Sequence, residues 1–294
     1  MTQQEIGVAP PDFRLPDATH VGKVRLQVSD LARSVEYYGG VLGLRLIHRA
    51  GGAASMGPHD GDAVLIELVE RPGARAVPRR GLLGLYHFAV LLPDRASLAR
   101  FVVHLSDIGQ YAGMSDHLVS EAIYLTDPDG LGIEVYADRP RDSWIATGRQ
   151  VAMTTKPLDV QDLVKAAGGA KAEGAPRGTV IGHVHFHVGD ITEAERFYHA
   201  ALGLDKIVWS YPGALFMSAG GYHHHVGANT WAAGSPIATD NDARLLDWEL
   251  VLPDAESADA AAKSIESAGF PVERLDGDPI ATDPWGIRVR LHAS

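Results

Sequence analysis

KVRLQVSDLARSVEYYGGVLGL (23–44) and HVHFHVGDITEAERFYHAALGL (183–204) are two versions of one segment, 160 residues apart. Each has an alternating apolar run typical of a strand, then an aspartate suited to cap a helix, then a helical apolar face that ends at a glycine. The repeat predicts that the two halves of the chain share one fold. The positions that coincide include Val24/Val184, Asp30/Asp190, Tyr38/Tyr198, Leu42/Leu202, Gly43/Gly203 and Leu44/Leu204.

Each half contains a second such piece. The same offset superposes the Leu-Pro-Asp at 92–94 on the Leu-Pro-Asp at 252–254. Short strand-like segments with turn residues follow the helices, such as AVLIELVE (63–70) and GIEVYADRP (132–140). We therefore predict an α+β fold of four βαβββ modules, over about 20–71, 82–138, 178–230 and 244–292. The first half spans 20–138, a linker 139–177, and the second half 178–294.

The composition excludes several classes of function. Apolar residues make up 46% of the chain and charged residues 21%, which is ordinary for a globular protein. A net charge of −11 without a basic stripe argues against nucleic acid, and no apolar run approaches the roughly 20 residues of a membrane helix. The absence of cysteine rules out zinc–thiolate sites, iron–sulfur clusters and cysteine nucleophiles. The first residues lack the basic and apolar regions of a secretion signal, so we expect a cytoplasmic protein.

The paired modules resemble the vicinal oxygen chelate superfamily over nearly the whole chain after its first twenty residues. This resemblance implies two curved-sheet barrel domains, with a metal bound through the first and last strands of a module. The four modules differ at those positions. On the first strands stand Lys23, His87, His183 and Asp247, and on the last strands Glu67, Glu134, the histidine run 223–225 and Arg288.

His87, His183 and Glu134 make a 2-His-1-carboxylate set, which leaves open coordination positions and is diagnostic of non-haem Fe(II) oxygenases. The set spans the second and third modules, so we expect these modules to pair around a metal. The first and fourth modules would then pair around ion pairs among Lys23, Glu67, Asp247 and Arg288. In the alternative arrangement, module one pairs with two and three with four, which separates the histidines.

The run HLVSEAIYLTDPDGLGIE (117–134) resembles the signature of type I extradiol ring-cleaving dioxygenases, and the full chain resembles their catechol-2,3-dioxygenase branch. The resemblance implies that Glu134 is an iron ligand and that His117 is an acid or base near the substrate. It also implies that Tyr124 donates a hydrogen bond to a catecholate oxygen. Ser115 departs from the family pattern, and the signature lies in the second module rather than the fourth.

The run Tyr222-His223-His224-His225 resembles the His-His pair of those enzymes on the last strand of the partner module. On a strand, His223 and His225 point to one face and His224 to the other. We favour His224 as the inward residue that assists dioxygen or substrate, with His225 beside His223 as the alternative.

Further substrate contacts follow from strand parity. His185 and His187 share the face of His183 and are expected to line the substrate pocket, unless they only fill the barrel and bond to each other. His225 is also a candidate substrate contact.

The predicted function is extradiol cleavage of catechol by O2 to 2-hydroxymuconic semialdehyde, with Fe(II) as cofactor and a small aromatic diol as substrate. Mn(II) accepts the same ligands. The alternatives are a glyoxalase-like isomerase or lyase that uses Ni²⁺, Zn²⁺ or Mn²⁺, and a binding protein for aromatic ligands. No membrane or nucleic-acid partner is expected, and edge strands at the barrel rims favour a homo-oligomer.

Overall fold

The computed structural model describes residues 6–294. It contains the four βαβββ modules that the sequence predicts. The first comprises β1 (His20–Val28), α1 (Leu31–Gly40), β2 (Arg45–Ala50), β3 (Ala53–Gly57) and β4 (Ile66–Glu70). The second comprises β5 (Gly84–Leu91), α2 (Arg95–Asp107), β6 (Gly113–Asp116), β7 (Ser120–Thr126) and β8 (Gly132–Asp138).

A connection leads from the second module to the third. It holds a 3₁₀ turn (Arg141–Ser143), β9 (Ala146–Thr147), β10 (Gln150–Val151), β11 (Lys156–Pro157) and α3 (Val160–Lys165). The third module comprises β12 (Val180–His187), α4 (Ile191–Ala194), a π-helical segment (Glu195–Ala201), β13 (Asp205–Val208), β14 (Ala214–Ser218) and β15 (Val226–Asn229). The fourth comprises β16 (Arg244–Leu252), α5 (Ala255–Ser267), β17 (Val272–Leu275), β18 (Asp278–Thr282) and β19 (Arg288–Ala293).

Each module's helix begins at an aspartate whose side chain accepts backbone N–H groups of the first turn, which confirms the predicted capping residues. The caps are Asp30, Asp94, Asp190 and Asp254. The capped turn between the first strand and the helix reverses the direction of the chain, so the helix packs back on the sheet of its own module. In every module the last strand then pairs in parallel with the first. The first-strand and last-strand positions are therefore neighbours.

The strands form two large mixed sheets, and these sheets join modules from opposite halves of the chain. Modules one and four make an eight-stranded sheet in the order β17-β18-β19-β16-β1-β4-β3-β2. Modules two and three make a nine-stranded sheet in the order β11-β6-β7-β8-β5-β12-β15-β14-β13. The central pairs, β1 with β16 and β5 with β12, are antiparallel. The predicted pairing of modules two and three is thus confirmed, while the division into halves at 138 and 178 stays a prediction.

The sheet of modules one and four carries ion pairs where the other sheet carries histidines. Lys23 Nζ lies 2.8 Å from Glu67, and Arg25 bridges Glu67 at 3.0 Å and Asp247 at 2.5 Å. The predicted cluster is present in part: Lys23 pairs with Glu67, but the cation that meets Asp247 is Arg25, which the prediction did not include. Arg288 is not part of it, because it lies at the start of β19 and contacts Glu273 instead.

A second set of contacts ties together modules that are neighbours in sequence. Asp127 and Asp283 occupy the corresponding turns DPDG and DPWG, and each accepts two backbone N–H groups of its own turn. Each also accepts the hydroxyl of a buried tyrosine from the preceding module, Tyr38 at 3.1 Å and Tyr198 at 2.9 Å. Burial raises the pKa of both carboxyls to about 6. These contacts fix the two sheets against one common core.

Tyr38→Phe is expected to lower the free energy of unfolding by about 1–3 kcal/mol, because it leaves a buried carboxylate without one hydrogen-bond donor. Tyr198→Phe should have an effect of similar size. Tyr37→Phe is the control, since its hydroxyl donates to the exposed carbonyl of Thr126. Urea unfolding measures all three variants. A Tyr38→Phe loss no larger than that of Tyr37→Phe would show that the contact does not stabilise the fold.

Candidate metal centre and substrate cavity

Three side chains converge in the sheet of modules two and three. Glu134 Oε2 lies 3.1 Å from His87 Nε2 and 3.3 Å from His183 Nε2. One ligand atom from each residue lies within 4.8 Å of the other two, and all three residues are buried. The sequence-predicted ligands are therefore brought together.

Strand register explains this convergence. Tyr124 on β7 pairs with Glu134 on β8, Glu134 pairs with Ala89 on β5, and Ala89 pairs with His183 on β12. Residues opposite each other on adjacent strands project to the same face. His87 lies two residues before Ala89, so it projects to that face as well. The small side chain of Ala89 leaves space between the three polar groups.

The protonation states suit a metal. Burial lowers the pKa of His183 to about 4, so its imidazole is neutral at pH 7. Burial alone would raise the pKa of Glu134, but its contacts with His183 and His87 hold that pKa well below its usual range. A neutral imidazole and an ionised carboxylate are the forms that coordinate metal ions.

The hydrogen bonding of the two imidazoles also fits a metal. Both ring nitrogens of His87 and Nδ1 of His183 are buried and make no hydrogen bond among residues 6–294, although His87 Nε2 lies 3.1 Å from Glu134 Oε2. Leaving a buried polar atom unpaired costs about 1–3 kcal/mol. A bound divalent ion would give His87 the partner that the protein does not provide. The residues present therefore fit the metal that the resemblance implies.

Two of the three residues, His87 and Glu134, line a cavity of about 250 Å³. Its other walls are mainly aromatic and hydroxyl side chains. They are Tyr86, Ser115, His117, Ser120, Tyr124, Met153, Thr154, Thr155, His185, Tyr211, Phe216, His224 and Trp231. A larger cavity of about 650 Å³ lies between α1, α2 and the connection at 170–176, and it shares no residue with this one. Of these two cavities, only the smaller is lined by residues of the ligand set.

His117 and Tyr124 form a pair on the cavity wall. The Nδ1 of His117 lies 2.7 Å from the carbonyl oxygen of Thr154, which can only accept, so Nδ1 donates. Nε2 then accepts the hydroxyl of Tyr124 at 2.7 Å. Burial raises the pKa of Tyr124 well above its usual value, and the charge of Glu134 adds to that effect. Tyr124 is therefore a neutral hydroxyl whose proton points to His117.

The histidine run lies at a different place in the fold from the one predicted, but its residue His224 does reach the cavity. It does not lie on the last strand, because β15 begins at Val226 and residues 219–225 form a turn followed by a bent, irregular segment. Gly220 and Gly221 adopt positive φ angles that favour glycine, and they reverse the chain before the run. His224 lines the cavity, with its ring centroid 4.1 Å from that of His183. Burial lowers the pKa of His224 well below its usual value.

His185 and His187 are held through one amide. The side chain of Asn229 lies 2.9 Å from His185 Nε2 and 2.8 Å from His187 Nδ1. His185 lines the cavity, whereas His187 lines a separate cavity that shares Tyr86, His87 and Tyr124 with it. Burial lowers the pKa of both imidazoles.

His225 lies away from these groups. Its Nδ1 accepts the backbone N–H of Ala219 at 3.2 Å, and the ring lies beside that of Tyr222. It borders a fourth cavity, near His20 and Arg141, that shares no residue with the one beside the metal ligands.

Some cavity residues are not foreseen by the sequence. Met153, Thr154 and Thr155 belong to the connection between modules, where no repeat indicates a role. Tyr211 and Phe216 lie at β14 and the loop before it. Trp231 differs from these residues, because a tryptophan directly after Asn229 and Thr230 is a sequence candidate for capping the pocket; it lies at the cavity rim and is half exposed.

Residues 19–135 match the model of the Glyoxalase/Bleomycin resistance protein/Dioxygenase superfamily. Catechol-2,3-dioxygenase from Bacillus subtilis (strain 168) is 42% identical over 270 residues, which cover 90% of this chain and 94% of that protein.

Two solved structures share the fold. A Bacillus subtilis protein described provisionally as a dioxygenase superposes with a TM-score of 0.65 at 14% identity, covering 96% of this chain and 86% of its own. Glyoxalase I from Zea mays superposes with a TM-score of 0.53 at 19% identity, covering 93% and 92%. At these identities the structures show the fold alone. Over residues 6–294, no helix is both long and apolar enough to cross a membrane. The identity to the Bacillus relative shows that the chain belongs to the vicinal oxygen chelate superfamily, in the catechol-2,3-dioxygenase branch of the type I extradiol dioxygenases.

Proposed function

We propose that this enzyme cleaves the ring of a catechol beside one of its hydroxyl groups, consuming O2 and yielding a 2-hydroxymuconic semialdehyde, with Fe(II) bound by His87, His183 and Glu134. The observation that carries the proposal is the meeting of this ligand set with the His117–Tyr124 pair and His224 around one cavity. The Bacillus relative, 42% identical, bears the name of that activity.

The ligand set provides three protein donors and leaves coordination positions open. An Fe(II) ion bound there would supply Lewis acidity toward the catechol hydroxyls and an electron path from the ring to dioxygen. One carboxylate among two neutral imidazoles leaves the site with net positive charge once the ion is bound. That charge favours a catechol that has lost a proton.

The cavity favours a small, single-ring substrate. Its volume of about 250 Å³ lies just below the roughly 300–1,000 Å³ that is usual for ligand sites. Phe216, Tyr211 and Trp231 supply apolar walls for a planar ring. Ser115, Ser120 and Thr155 add hydroxyl groups that can orient polar substituents.

Side chains around the substrate ring accept and donate the protons of the reaction. His224 is neutral and lines the cavity, so it is suited to accept a hydroxyl proton from the substrate. Tyr124 and His117 lie on the opposite side of the ligand set from the histidine run, across β8, β5 and β12. Their hydroxyl and imidazole can rearrange to donate to a substrate oxygen as negative charge develops there.

The test is anaerobic reconstitution of the metal-free protein with Fe(II), followed by catechol and then O2. We expect oxygen uptake equal to the appearance of the yellow ring-opened product. Mn(II) and Zn(II) loading in parallel identifies the metal, and resorcinol, whose hydroxyls cannot chelate one ion, is the substrate control. Tight binding of metal without oxygen uptake across a panel of single-ring catechols would overturn the proposal.

A further inference from the structure

A chain of contacts runs from the cavity to the protein surface through residues that the ligand set does not use. His224 Nδ1 lies 2.8 Å from His223 Nδ1, and His223 Nε2 lies 2.9 Å from Asp138 Oδ1. The side chain of Asp138 is 25% exposed, whereas that of His223 is buried. Asp138 ends β8, the strand that carries Glu134.

The donors and acceptors in this series of contacts can be assigned by starting from Asp138. The carboxylate of Asp138 only accepts, and its other oxygen takes the hydroxyl of Tyr222 at 2.9 Å. His223 Nε2 must therefore carry a proton. In neutral His223, Nδ1 is then an acceptor, and the short contact between the two Nδ1 atoms requires His224 Nδ1 to donate. Neutral His224 is left with a lone pair on Nε2.

We propose that Asp138 and His223 are positioning residues that hold His224 in the tautomer with its proton on Nδ1 and a free Nε2 toward the cavity. Among residues 6–294, Nε2 of His224 has no hydrogen-bond partner, so nothing in the described chain competes for its lone pair. The inference rests on the proposed function for its catalytic meaning. The tautomer itself is a property of the metal-free protein.

The assignment decides what His224 can do. With Nε2 unprotonated, His224 can take a proton from a substrate hydroxyl, which breaks the O–H bond and forms Nε2–H. The proton on His224 Nδ1 can then pass to His223 Nδ1, and the positive charge comes to rest on His223 beside the carboxylate of Asp138. With Nε2 already protonated, the same residue could only donate.

The surroundings hold this arrangement in place. The ring of His223 packs between Tyr222, at 4.1 Å between centroids, and Trp144, at 5.3 Å. Tyr222 also bonds to the hydroxyl of Tyr136 at 2.7 Å, which restrains it against β8. His225 provides an internal contrast. Its Nδ1 accepts a backbone N–H, so neutral His225 carries its proton on Nε2.

The experiment is ¹⁵N NMR of the metal-free full-length protein labelled at histidine, with the His224 signals identified by their loss in His224→Gln. An unprotonated ring nitrogen resonates well downfield of a protonated one, so the spectrum reports the tautomer directly. We expect wild-type His224 to be protonated on Nδ1 and His225 on Nε2. A His224 protonated on Nε2 in the wild type would overturn the proposal.

Two variants test the origin of the tautomer. His223→Phe removes the acceptor while keeping a ring in the pocket, and it should move the proton of His224 to Nε2. Asp138→Leu removes the carboxylate that fixes the proton on His223 Nε2, and it should produce a mixture of both His224 tautomers. Tyr222→Phe is the matched control, because it removes a donor to Asp138 but leaves the His223 contact, and it should not change the His224 signals. An Nδ1 proton that persists in both His223→Phe and Asp138→Leu would overturn the proposal.

Kinetics of the reconstituted enzyme distinguish a failure of this inference from a failure of the proposed function. We expect Asp138→Leu to lower kcat for catechol about 10–100-fold at full metal content, with little change in KM, since the effect acts on proton transfer rather than binding. If wild-type His224 has the expected tautomer but no catechol is cleaved, the function fails and the assignment stands. If catechol is cleaved while His224 carries its proton on Nε2, the assignment fails and the function stands.

Discussion

Replacing Glu134 by alanine is expected to abolish stoichiometric metal binding and, with it, all oxygen uptake. The variant leaves His87 and His183 without the anion that lies 3.1 and 3.3 Å from their Nε2 atoms. Two neutral imidazoles hold a divalent ion far less tightly than two imidazoles with a carboxylate. The loss of affinity should exceed the roughly 10–100-fold that removal of an outer hydrogen-bond partner costs.

The measurement is metal content per chain after dialysis against a weak chelator, alongside circular dichroism to verify folding. The chain offers a matched control in Glu67→Ala. Glu67 pairs with Arg25 across β1 and β4 in the other sheet, where cations rather than histidines surround it. That variant should keep one metal ion per chain. A folded Glu134→Ala protein that retains a full complement of metal would remove this residue from the ligand set.

The pairing of the modules could be predicted because it depends on only a few side chains. Lys23 is opposite in charge to Glu67 and Asp247, while His87, His183 and Glu134 form a ligand set. Each group is useful only if its strands are neighbours. The structure confirms both sheets. The capping aspartates were equally predictable, since a cap is a local property of the sequence.

The histidine run could not be placed in the same way. Strand parity assumes an extended chain, but Gly220 and Gly221 turn the backbone before the run, and β15 starts only at Val226. His224 reaches the cavity through that turn and not through alternation. The cavity wall at 153–155 could not be predicted either, because its position depends on how the connection between modules two and three packs against the folded sheet.

Tyr124→Phe and His117→Ala are expected to keep the metal and lose turnover, each by about 10²–10⁴-fold in kcat. Neither residue belongs to the proposed ligand set, so metal content per chain should equal that of the wild type. The two side chains share one proton, since the Tyr124 hydroxyl donates to His117 Nε2 at 2.7 Å. Removing either partner disables the pair, because His117 fixes the direction of the hydroxyl and Tyr124 brings the proton to the cavity.

The double variant gives the sharper test of this pair. Residues that act as a unit are non-additive, so His117→Ala/Tyr124→Phe should be no slower than the slower single variant. If the two losses instead multiply, the residues act at separate steps and the shared proton has no catalytic role. Equal loss of metal in these variants and in Glu134→Ala would contradict the division between ligands and proton carriers.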